Sequence, residues 1–91
     1  MSVTLFYASV SGSVEVKKRQ ERINSVLSSK KIAYKSIDIT QKPEHKDLMR
    51  KIANNPTAMP PQIANGSSYC GDFAAFENAI EVGKLEQFLK I

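Results

Sequence analysis

The sequence holds a single cysteine, no tryptophan, and only four glycines and four prolines in 91 residues. One thiol cannot close an internal disulfide, so a stapled extracellular scaffold is excluded. A CxxC pair and any zinc knuckle that needs two thiolates fall with it. Low glycine and proline remove the fibrous and low-complexity classes. No apolar run approaches the roughly 18 residues of a membrane span. The opening Met-Ser-Val-Thr-Leu-Phe-Tyr has neither the basic flank nor the long apolar stretch of a leader. These absences lead us to expect a soluble chain in a reducing setting, cytoplasmic and also nuclear, since so small a chain diffuses without an import signal.

What is present is ordinary: 42% hydrophobic and 24% charged residues, enough for one modest core. A single domain over residues 1–91 is expected. The net charge of +4 is uneven. Residues 1–51 carry 11 Lys/Arg against 5 Asp/Glu, and residues 52–91 carry 2 against 4. An acidic partner or nucleic acid is one reading of the basic half. A solvated helix face is the other, because Lys17, Lys18, Arg19 and Arg22 alternate with Glu15 and Glu21. No base-stacking aromatics interleave with the basic run, so nucleic acid is not expected as a ligand.

The hydrophobic pattern gives the element order. Val3 to Ala8 is apolar on both alternating faces, as in a strand covered on both sides. Ser9-Val10-Ser11-Gly12-Ser13 interrupts it. From Val14 the pattern turns helical, with Val16, Ile23, Val26 and Leu27 on one face and Ser13 as N-cap. Ser28 to Lys31 ends that helix, and Ile32 to Ile39 reads as a partly polar edge strand. Pro43 opens a second helix through Leu48, Met49, Ile52 and Ala53, which stops at Asn54-Asn55-Pro56. Met59 to Ala64, then Asn65-Gly66, then Ser67 to Cys70 reads as a hairpin. Asp72 caps a helix bearing Phe73, Phe76 and Ile80, Gly83 ends it, and Leu85, Phe88 and Leu89 form a short last helix.

This βαβ-α-ββ-α order, with proline before the third strand and Gly-Asp after the fourth, resembles the thioredoxin fold in its glutaredoxin form. The fold class expected is α/β, a four-stranded mixed sheet with helices on both faces. At closer range the chain resembles the SH3-domain-binding glutamic-acid-rich-like proteins, especially their short members. The matching pieces are Leu5-Phe6-Tyr7, the Ser9–Ser13 loop, Ile37-Asp38-Ile39, Asn55-Pro56 and Pro60-Pro61-Gln62-Ile63. Asn65-Gly66, Tyr69-Cys70-Gly71-Asp72-Phe73 and Phe88-Leu89-Lys90 complete them. The prolines, at 43, 56, 60 and 61, contain no PxxP spacing, and the chain ends at Ile91 without an acidic tail, so SH3 binding is not expected to transfer.

The resemblance implies where glutaredoxin chemistry would reside. The nucleophilic cysteine's position is Ser11, the second cysteine's is Val14, and the lysine that meets glutathione is replaced by Ala8. A serine hydroxyl without a base is a poor nucleophile, so no catalytic residue is expected. Ser9, Ser11, Gly12, Ser13 and Val14 then form a degenerate active-site loop, which is read either as a cap or as an anion cradle. The resemblance also makes Pro60 the fold's cis-proline, with Met59 presenting its backbone to a ligand. Gly71-Asp72 would be a residual carboxylate-binding turn, with Phe73 in place of a second acid. Cys70 has two readings: a packed thiol, or a sensor that bonds glutathione, bridges two chains or ligates a cluster. His45, among Glu44, Lys46 and Asp47, is expected on the surface, and no metal site is expected.

The function expected is a non-catalytic glutaredoxin-like protein that modulates glutaredoxin or redox pathways, or a small protein-interaction module with a protein partner. No cofactor is expected, glutathione being weakly supported. The alternative is a glutathione-linked thiol protein that uses Cys70.

Overall fold

The computed structural model describes residues 2–91. Strand β1 (Val3–Tyr7) leads through a loop to α1 (Val14–Ser29), then β2 (Tyr34–Asp38) and α2 (Pro43–Ala53). The hairpin β3 (Gln62–Asn65) and β4 (Ser68–Asp72) follows, then α3 (Phe73–Glu81) and α4 (Leu85–Leu89). The sheet runs β2-β1-β3-β4, with β1 parallel to β2 and antiparallel to β3. The expected element order, the central place of β1 and the edge place of β2 all hold.

Alternation along β1 builds two cores. Val3 and Leu5 join Ile23, Leu27, Phe76 and Leu89 beneath α1, α3 and α4. Phe6 and Ala8 turn to the other side, against Met49, Ala58 and Ala64 beneath α2. Each Leu or Phe buried this way contributes about 1.5–3 kcal/mol. From α2 only Met49 is fully buried, and Leu48 is left 42% exposed. Phe88 meets Phe76 edge to face at 6.2 Å and fixes α4 on α3.

The caps at Ser13 and Asp72 form as expected, accepting from the N–H of Val16 and Ala75 at 3.2 and 3.0 Å. Each helix ends on a left-handed residue: Lys31, Asn54, Gly83 and Lys90. In each case the next N–H reaches back to the last turn, as Ile32 N does to Leu27 O at 2.9 Å and Lys84 N to Ala79 O at 2.8 Å. The turn of the hairpin is Gly66-Ser67, with positive φ at Gly66. Asn65 stays in β3 opposite Ser68, rather than sitting in the turn.

The third and fourth strands start later than the sequence pattern suggests. Pro60 and Pro61 have no N–H to give a ladder, so pairing begins at Gln62. In β4, Ile63 faces Gly71 and Ala64 faces Tyr69, so Cys70 is the extra residue of a bulge. The bulge carries the strand on to Asp72. Gly71 is held beneath the Phe88 ring. A Cβ there would lie 2.8 Å from Phe88 Cε1 and 2.9 Å from Ala75 Cβ, at φ 155°. Gly71→Ala should therefore lower stability by about 1–3 kcal/mol through overpacking, read as a shift in urea midpoint. An unchanged midpoint would contradict this packing.

Candidate functional site

The corner where β1 gives way to α1 is built from three consecutive residues whose backbones are tied to other elements. Tyr7 O accepts from Ile39 N at 2.8 Å. Ala8 lies beyond the ladder, yet both its groups are paired. Its N–H donates to Gln20 Oε1 at 2.8 Å, and its carbonyl accepts from Gln20 Nε2 at 3.1 Å. Gln20 is buried in the apolar stripe of α1. Ser9 N then donates to Asp38 Oδ1 at 3.2 Å, while Ser9 Oγ donates to Oδ2.

Asp38, at the end of β2, is 8% exposed. It also accepts from Thr40 N and Thr40 Oγ1, at 2.9 and 2.6 Å. Burial by itself would raise its pKa, but the hydrogen bonds from Ser9 and Thr40 outweigh that and hold the carboxyl well below the usual range. A carboxylate so acidic is a poor general base, so the Ser9–Asp38 pair is a structural tie. His45 is half-buried rather than free on the surface. Its Nδ1 lies 2.9 Å from the Asp38 carbonyl, to which it donates.

Ser11 Oγ accepts from Ser13 N at 3.1 Å, a local turn contact with no base beside it. Gly12 has open space around it, and Val10 and Val14 are 78% and 65% exposed.

Across the sheet end lies the segment before β3. The cis peptide bond is Pro60-Pro61, one residue after the Met59–Pro60 bond where it was expected. The residue preceding the cis bond is thus Pro60, which has no N–H to offer a ligand. The Met59 carbonyl is also engaged, accepting from Gln62 Nε2 at 2.7 Å, and Gln62 Oε1 accepts from the Tyr69 hydroxyl at 2.5 Å. Met59, Pro60, Asp72 and Phe73 share a half-open cavity of about 290 Å³ with Arg19. Its guanidinium lies 5.3 Å from the centre of the Phe73 ring and pairs with Glu15. Asp72 spends its carboxylate on the α3 cap.

Cys70 and Gly71 do not belong to that cavity. Gly71 packs on Phe88, and Cys70 opens on a separate depression with Asn78, Phe88 and Lys90. Burial raises the Cys70 pKa and Lys90 lowers it, the net shift being upward. The thiolate is therefore disfavoured at neutral pH.

The whole chain, residues 1–91, matches the model of the SH3-binding, glutamic acid-rich protein family. The chain belongs to that family. A homologue of the SH3 domain-binding glutamic acid-rich protein from Drosophila melanogaster is 40% identical over 103 aligned positions. These cover 100% of this chain but only 65% of the fly protein, so the chain spans just under two thirds of that relative. Among solved structures, the actin interacting protein Aip5 of C. albicans superimposes with a TM-score of 0.80 at 24% identity, over 97% of this chain and 87% of that one. Glutaredoxin C1 of Populus tremula x tremuloides gives 0.70 at 16% identity, over 97% and 82%. The buckwheat glutaredoxin–glutathione complex gives 0.71 at 15%, over 97% and 76%. The fold is thioredoxin-like in its glutaredoxin form.

No local motif marks Gln20, Asp38 and Arg19 as site residues in the sequence. A glutamine within the apolar stripe and an aspartate between two isoleucines were the available signals. The Asp38 tie has a pH signature. Its folded pKa lies below the unfolded value of about 3.9, so the stability it adds is complete above that pH and is lost as pH falls through and below it. Asp38→Asn should be less stable than the parent at pH 7, and the difference should shrink between about pH 5 and pH 2. Parallel stability curves for the two proteins over that range would contradict the assignment.

Proposed function

We propose that this chain is a non-catalytic glutaredoxin-like interaction module, which modulates redox pathways by engaging a protein partner through the sheet end where glutaredoxins do chemistry. The observation that carries the reading is the absence of a cysteine thiol from that end. Ser11 and Val14 occupy the positions that the resemblance assigns to the cysteines, and the Ser11 hydroxyl is spent on its own turn. The one thiol lies in the β4 bulge, outside the cavity that holds Met59 and Asp72, with its pKa raised. Thiol–disulfide exchange needs an accessible thiolate in the groove.

A partner-binding role agrees with the relatives' names, which speak of an SH3 domain and of actin. The proposal does not include SH3 docking. No two prolines stand three apart, and Pro60 and Pro61 are buried. It includes no cofactor and places the chain in the cytoplasm and nucleus.

A coupled assay of glutathione-dependent reduction of a peptide–glutathione mixed disulfide tests this reading. The expected result is no sustained turnover. Multiple turnovers lost on Cys70→Ser would overturn it in favour of a thiol enzyme. In parallel, alkylation of Cys70 should show a midpoint above the roughly 8.5 of free cysteine. A midpoint near neutral pH would contradict the burial of the thiol.

A further inference from the structure

Of the five asparagines in the chain, only Asn65 is followed by glycine. In such a pair the next backbone nitrogen reaches the side-chain amide carbon with little hindrance, because glycine has no Cβ. Gly66 N then bonds to Asn65 Cγ, the Cγ–Nδ2 bond breaks, and Nδ2 leaves as ammonia with the proton from Gly66 N. Water opens the resulting cyclic imide to aspartate or isoaspartate. The reaction consumes water alone.

The fold holds both nitrogens that this reaction uses. Asn65 is 2% exposed and is paired in the sheet with Val3 on one side and Ser68 on the other. Its Nδ2 donates to the carbonyls of Leu89 and Lys90, at 3.0 and 3.1 Å, where α4 ends. Gly66 N donates to Ser2 O at 3.0 Å. Ser2 is exposed, so the buried α4 contact is the stronger restraint. Asn65 Oδ1 is buried with no hydrogen-bond partner among the described residues. The side chain thus serves the fold through its two donor hydrogens.

Helix α4 is five residues long, and Lys84 gives it no side-chain cap. So short a helix does not stand by itself. Leu85 and Leu89 are buried in the core beneath it, and Phe88 meets Phe76. Its release is a local opening, smaller than unfolding of the sheet. Neither product of the reaction fits the old place. Nδ2 gives one hydrogen to each of two carbonyls, whereas a carboxylic acid has one to give and a carboxylate none. Isoaspartate also adds a carbon to the main chain at a position paired on both sides. We propose that Asn65-Gly66 is a masked deamidation site: docked α4 shields it, and release of α4 lets it convert to a product that α4 no longer covers. The conversion is a one-way record of that opening.

Peptide mapping by mass spectrometry, after incubation in mildly alkaline buffer, reads conversion at Asn65. The folded chain should convert roughly tenfold or more slowly than the same chain in urea, where Asn65 should lead the other asparagines. Leu89→Ala should raise the native rate roughly tenfold or more by loosening α4, with Leu89→Val between it and the parent. Met49→Ala removes a comparable apolar volume beneath α2 and should leave the native rate near that of the parent. Asn65→Asp should lower the urea midpoint and speed hydrogen exchange at the Phe88 amide. Equal rates in the folded and urea-unfolded chains would overturn the proposal. So would equal acceleration by Met49→Ala and Leu89→Ala, no acceleration across the Leu89 series, or an Asn65→Asp chain as stable as the parent.

Discussion

Where β1 ends, the chain leaves the sheet at a buried residue whose N–H and C=O have no strand left to pair with, and Gln20 takes both. An unpaired buried backbone group costs about 1–3 kcal/mol, so one primary amide at Gln20 offsets two such costs. It also sets the height of α1 against the sheet, because both bonds point at one residue. Asp38 repeats the device one residue later on Ser9, and Ile39 does so one residue earlier on Tyr7. The loop that carries chemistry in glutaredoxins therefore departs here from three fixed points.

The consequence is a corner whose backbone is held largely by the protein's own side chains. Several polar groups at this end are committed within the protein: both backbone groups of Ala8 to Gln20, the Met59 carbonyl to Gln62, the Asp72 carboxylate to its own helix and the Ser11 oxygen to its own turn. Val10, Val14 and Met59 are exposed. The glutaredoxin-like fold here carries Ser11 and Val14 at the corner, and its one thiol lies in the β4 bulge.

How much of this the amino-acid sequence discloses depends on the range of the interaction. Local chemistry was readable: Ser13 and Asp72 cap because hydroxyl and carboxylate reach the next turn, Pro43 opens α2, and Gly83 ends α3. Ser28 to Lys31 does end α1, but the left-handed lysines at 31 and 90 were not legible, since a lysine at positive φ costs about 1–2 kcal/mol; each is accompanied by a returning N–H bond, from Ile32 and from Ile91. The Gln20 and Asp38 ties span 12 and 29 residues, and no local pattern announces them. Two adjacent prolines left the cis bond ambiguous by one residue, and the bulge at Cys70 depends on how Gly71 meets Phe88.

The central claim is that the corner is tied shut rather than poised for chemistry, and amide hydrogen exchange reads it directly. The Ala8 and Ser9 amides should exchange as slowly as those of the core strand β1, with Ala8 losing that protection in Gln20→Ala while Leu5 keeps it. Exchange at Ala8 in the parent protein as fast as at the open Gly12 would contradict the account.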